Sequence, residues 1–120
     1  MKETKFWTWH VLTGGVILIL LGLHMAIMHM DLILGLFNPA GGRAIEWANV
    51  FARSKQAFFI AVYIVLLGTA LYHGLYGLRT ILFELNLKRG MQTFVNVIFW
   101  IGGIGLFITG TYAAIAVKFI

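Results

Sequence analysis

Cysteine is absent from this 120-residue sequence, proline occurs once, at Pro39, and only four residues are acidic: Glu3, Asp31, Glu46 and Glu84. Without cysteine there is no disulfide and no thiolate for zinc, an iron–sulfur cluster or covalently attached haem, so any metal has to be held by histidine. Paired carboxylates, a nucleophile beside a base and a phosphate-binding glycine loop are missing too, which leaves no self-contained active site. Charge is scarce: 11% of the residues are charged and 61% are hydrophobic, against about 25% charged in soluble domains. The net charge is +5, yet the nine basic residues are scattered over helix ends and form no stripe. That distribution excludes a nucleic-acid partner.

What the sequence has is long uncharged runs. Phe6 to Met30, Gln56 to Leu78 and Gly90 to Val117 carry no Asp, Glu, Lys or Arg, and each exceeds the ~20 residues a helix needs to cross about 30 Å of hydrocarbon. The first run lacks the short apolar core and small-residue cleavage site of a signal peptide, so it is expected to be a retained helix. Trp7 and Trp9 behind Lys5 place its start at a headgroup layer. Asn38, Pro39, Gly41 and Gly42 supply its stop signal.

The expected fold is therefore all-α, a single unit over residues 1–120, with transmembrane helices over about 6–37, 54–85 and 92–117 in an up-down-up bundle. The loop between the first two holds Glu46, Trp47 and Phe51 and predicts a short amphipathic helix on the membrane surface. Lys2, Lys5, Arg79, Lys88 and Arg89 fall on the N-terminal side, against Arg43, Arg53, Lys55 and Lys118 on the other. This narrow excess puts the N-terminus inside.

Ionisable side chains within membrane spans are rare and usually functional, so the histidines carry the chemistry. His73 lies about 12 Å of helix rise before Ile81, deep in the hydrocarbon, and His24 lies about 22 Å beyond Trp9 on an antiparallel neighbour. The two are expected at different depths. That separation predicts two haem b groups, each taking its other axial ligand from a partner chain.

Around His73, Thr69 (i−4) and Gly77 (i+4) share a face, predicting a hydroxyl partner for the imidazole and a cleared surface for a porphyrin. Arg79 is placed either to pair with a haem propionate or to act as a plain interfacial anchor. Thr13, eleven residues before His24, shares its face, whereas His29 sits roughly 140° around from His24 and is the weaker ligand candidate. His10, near the first tryptophans, reads as an interfacial polar residue. The competing reading makes all these histidines interhelical hydrogen-bonding groups of a structural or assembly protein. A transporter with a histidine proton relay would need broken helices and an inverted repeat, which the sequence lacks.

Taken in order, Trp9-His10-Val11-Leu12-Thr13-Gly14, Leu23-His24-Met25, His29-Met30, and His73-x-x-x-Gly77-x-Arg79 followed by Glu84 resemble the membrane-anchor subunits of succinate:quinone oxidoreductase and fumarate reductase, above all the smaller anchor of two-haem forms. The resemblance covers most of the chain. It implies an electron-transfer subunit of succinate dehydrogenase or fumarate reductase in a prokaryotic inner membrane, N-terminus cytoplasmic. The implied partners are a second cytochrome b anchor, an iron–sulfur subunit, a flavoprotein and membrane quinone. His73 then matches the ligand of the haem nearer the iron–sulfur subunit, and His24 that of the distal haem. The Asp-Tyr pair that many one-haem anchors carry is replaced here by Glu84-Leu85. Quinone contacts are accordingly expected from the partner anchor, or toward His29 and Asp31.

Overall fold

The computed structural model describes residues 2–29 and 41–120. Its elements are helix α1 (Lys2–His29), α2 (Trp47–Ser54), α3 (Ala57–Phe83), α4 (Arg89–Ala116) and a closing 3-10 turn, Val117–Phe119. Helices α1, α3 and α4 are each long and apolar enough to cross a membrane. The fold is an all-helical bundle, as the hydropathy pattern requires.

Several boundaries move relative to the sequence expectation, the first helix starting at Lys2 instead of near Phe6. The short amphipathic helix expected in the loop is α2, and the span expected over 54–85 runs unbroken over Ala57–Phe83, beginning three residues later because Ser54 ends α2 and Gln56 is extended (φ −80°, ψ 132°) before α3. The change of direction at Lys55 and Gln56 has a physical reason: α2 is amphipathic, whereas α3 is apolar along its length and suited to cross the membrane. The third helix starts at Arg89, three residues earlier than expected. The expected extension of the first helix over 30–37, with Asp31, falls outside the described residues.

Helix α3 is the centre of the bundle, with α1 packed on one side and α4 on the other. Glu3 at the start of α1 reaches Arg79 near the end of α3, and α2 meets both α3 and the 3-10 turn. Those contacts set the up-down-up order. Between α3 and α4, Asn86 adopts φ 61°, a left-handed conformation that asparagine tolerates better than most residues.

Little is buried within the chain. Among the described residues the buried apolar side chains are Ile27, Ala44, Phe59 and Val95, while Leu18 is 77% exposed and Ile101 67%. In a membrane this is not a defect, because lipid tails are as apolar as leucine and the helices associate by close packing instead. Glycines supply the close approach. A Cβ on Gly103 would lie 2.9 Å from Leu75 Cδ1 and one on Gly68 3.1 Å from Phe107 Cε2, and Gly110 receives Leu67 directly. Knobs from each helix thus enter holes in the other.

At the opposite end Asn49 and Arg53 of α2 are fully buried. Asn49 donates to the carbonyls of Gly41 and Arg43 at 2.7 and 2.8 Å, and Arg53 Nη2 donates to the Ala44 carbonyl at 2.6 Å and approaches Met28 Sδ at 3.1 Å. The loop is laced to α2 and to the end of α1. Truncating one partner of a buried, charge-assisted network costs about 3 kcal/mol, so Arg53→Ala is expected to expose the 41–46 segment to protease. Cleavage as slow as in the unaltered protein would show that Arg53 does not hold it.

Candidate functional site

His73 projects from the middle of α3 toward α1, and its ring reaches the α1 backbone: Nδ1 lies 2.9 Å from the carbonyl oxygen of His10. A carbonyl oxygen only accepts, so Nδ1 carries a proton and, in the neutral imidazole, Nε2 keeps its lone pair. The Thr13 hydroxyl donates to the same carbonyl at 2.9 Å. The imidazole is thereby oriented with its other nitrogen unprotonated, the state in which histidine binds a metal.

The ring of His10 lies flat on that of His73, with centroids 4.1 Å apart and planes within 3°. Two glycines make room for this stack. A Cβ on Gly14 would lie 3.0 Å from His73 Cε1, and one on Gly77 would lie 3.2 Å from His10 Cε1. Trp7 and Tyr76 flank His10, each with ring centroids 5.3 Å away. His10 Nδ1 is buried with no hydrogen-bond partner. Rings this close leave no room for a porphyrin between them, so His10 and His73 are not paired ligands of one iron in this arrangement.

The other expected site residues divide. Thr69 does not serve His73: its hydroxyl donates to the carbonyls of Val65 and Leu66 on its own helix, the usual local bond of a helical threonine. Thr13 supports the His10 carbonyl and so belongs with His73, not with His24. Gly77 is covered by His10, and the open surface beside His73 lies at Gly74, where a Cβ would meet nothing within 4 Å. Ala70, Gly74 and Leu78 form an exposed strip there.

Arg79 is engaged elsewhere. Its Nε donates to Asn96 Oδ1 of α4 at 2.6 Å, its Nη2 lies 3.4 Å from Glu3 Oε1, and its guanidinium sits 4.2 Å over the Phe83 ring. Tyr76 donates to Glu3 Oε2 at 3.2 Å, and Tyr72 to the Phe6 carbonyl at 2.9 Å. Six residues put Arg79 about 240° around α3 from His73, so it faces α4 and not the Gly74 strip. This polar cluster closes one end of a groove of about 500 Å³ between α1, α3 and α4, whose walls include Tyr72, Trp100, Gly103 and Phe107.

His24 is half-buried on α1, with the Tyr63 ring edge-on at 6.2 Å, beside a small cavity bounded by Ile27, Phe59 and Val62. Fourteen residues separate it from His10, about 21 Å of rise. His24 and His73 are therefore at different depths, as the spacing predicts. His29 ends α1 and is exposed.

His10, Glu3, Tyr76 and Asn96 were not expected in the site. One signal pointed to His10: His10-x-x-x-Gly14 and His73-x-x-x-Gly77 are the same spacing on two antiparallel helices. Among the described residues no three histidine or acidic side chains converge on one point, but axial haem ligation needs one imidazole per chain. Comparison with protein-family models, with curated proteins and with solved structures found no match. The molecule is thus defined by its own geometry as a multi-pass helical membrane protein with an oriented imidazole within its bundle.

Proposed function

We propose that this chain is a haem b-binding membrane-anchor subunit of the succinate dehydrogenase/fumarate reductase type, passing electrons between an iron–sulfur subunit and membrane quinone. One observation carries the reading: the Nδ1–H of His73 is committed to the His10 carbonyl, so Nε2 is available as an axial ligand. Haem held there would supply a one-electron carrier within the membrane. The open strip at Gly74 gives a flat group access from the side where a second anchor subunit would bring the other ligand. His24 serves the second haem, nearer the opposite face.

The groove beside α4 suits the quinone. Arg79 and Glu3 neutralise one another, leaving guanidinium and amide N–H groups as donors in a site of little net charge, and the aromatic walls suit a flat ring with a long apolar tail. Arg79 then serves the quinone groove and not a propionate. The five-to-four excess of basic residues supports an N-terminus, and with it this end of the groove, on the cytoplasmic side of a prokaryotic inner membrane, where the iron–sulfur subunit would dock.

A structural or assembly protein is the second reading, and the His10–His73 stack favours it, since rings seated on glycines also fasten helices together. Purification of the tagged chain from its native membrane separates the two. The electron-transfer reading expects co-purifying flavoprotein, iron–sulfur and second anchor subunits, with a b-type reduced-minus-oxidised spectrum and two haems per complex. A preparation with neither flavin nor b-type absorbance would leave the packing reading standing.

A further inference from the structure

The exchange between α1 and α3 is reciprocal: each helix offers a histidine and, four residues on, the glycine that receives the other helix's histidine. The two halves are nevertheless not equivalent. His73 reaches a backbone oxygen through the gap left by Gly14, whereas His10, seated over Gly77, has its Nδ1 buried without a partner. We propose that Gly14 is a positioning residue for His73, holding its imidazole as the Nδ1–H tautomer against the His10 backbone carbonyl, while the His10 ring acts only as a flat cover.

Space decides this assignment. A Cβ at position 14 would fall 3.0 Å from Cε1 and 3.3 Å from Nδ1 of His73, the two ring atoms whose placement the hydrogen bond depends on. Alanine there displaces the ring by a few tenths of an ångström and lengthens a bond that has little tolerance in distance or angle. Gly15, its sequence neighbour, faces open space. The pair thus supplies its own control, with the same substitution, the same helix and nearly the same depth.

The bond donor is a side chain but the acceptor is backbone, so the His10 side chain is dispensable for the tautomer. The His10 carbonyl also takes the helical N–H of Gly14 and the Thr13 hydroxyl, so His73 shares this oxygen with two other donors and its bond depends closely on ring placement. The inference rests on reading His73 as the working imidazole, yet the tautomer itself is a property of the chain without any bound group.

The test is nitrogen-15 NMR of histidine-labelled full-length chain in lipid bilayers without haem, at a pH well above the ordinary imidazole pKa of about 6.5. His24 and His29 are replaced by asparagine so that only His10 and His73 report. The expected result is a protonated Nδ1 and an unprotonated Nε2 on His73, in about tenfold excess over the other tautomer. Gly14→Ala should bring the two tautomers near parity and Gly15→Ala should leave the excess intact. His10→Ala should also keep it while abolishing the ring-current shifts of the stack. A mixed tautomer in the parent chain, equal effects of the two glycine substitutions, or loss of the preference in His10→Ala would each overturn the assignment. If Gly14→Ala does not fold while Gly15→Ala does, the intolerance of a Cβ at position 14 alone supports the close contact with the His73 ring, and the parent and His10→Ala spectra decide the tautomer; equal failure of both glycine variants overturns the assignment. Absence of haem from the native complex would sink the electron-transfer reading and leave this result untouched.

Discussion

On the proposed haem b reading, His73→Ala is expected to remove one haem from the purified complex, halving the b-type absorbance, and His24→Ala is expected to remove the other. The size of the effect follows from coordination: deleting an axial imidazole removes a metal bond that no side chain within reach replaces. His10 is the nearest other imidazole, but it is carried by α1 and seated over Gly77, one helix away from the ligand position on α3. Helix rise of about 21 Å between the two ligand levels is too large for one iron to be shared. Haem counted per flavin, together with the spectrum of each variant, is the measurement. Loss of the same haem in both variants would overturn the two-depth arrangement. Retention of full haem in both would hand the histidines back to packing.

The second large effect concerns the α3–α4 packing one turn beyond the groove. Gly110→Val places two methyl groups where Leu67 already enters the helix surface, and overpacking of this kind costs about 1–3 kcal/mol. Gly105→Val, one and a half turns earlier on α4, points into open space and is expected to stay within about 0.5 kcal/mol of the parent. Unfolding of the purified chain in mixed detergent micelles, followed by circular dichroism, gives both numbers. The α3–α4 packing would be misassigned if Gly105→Val proved the more damaging of the two. Because α4 carries Asn96, Trp100 and Phe107 along one side of the groove, the proposed function expects the Gly110 variant to weaken quinone binding without changing haem content. The Gly105 variant should change neither.

The spans were legible because the bilayer imposes a simple rule: a helix has to satisfy its backbone internally and show apolar side chains over about 20 residues. Composition alone reveals that. The depths of His24 and His73 were legible for the same reason, since rise per residue converts sequence distance into height. Azimuth was not. Thr69 stands on the turn before His73, yet its hydroxyl takes carbonyls of its own helix. Gly77 was read as a platform for a porphyrin, and the structure seats His10 on it. Arg79 was placed at a propionate or as a plain anchor, whereas it bridges Glu3 of α1 and Asn96 of α4. The last two differences depend on which neighbouring helix lies opposite, which a periodicity of 3.6 does not reveal.

By itself, then, the sequence determines that this is an all-helical membrane protein, where its apolar helices run, and that histidine is its available metal ligand. Those properties are sums over single residues and their spacing along one axis. Only the tertiary structure decides that His73 meets the His10 carbonyl through Gly14, that the imidazole is held with Nε2 free, and that Arg79 closes a groove instead of facing His73. Those outcomes turn on interhelical distances of about 3–4 Å, set by the register and rotation of α1 and α4 against α3. A hydrogen bond or a glycine contact is won or lost within a few tenths of an ångström, far below what helical spacing alone can resolve.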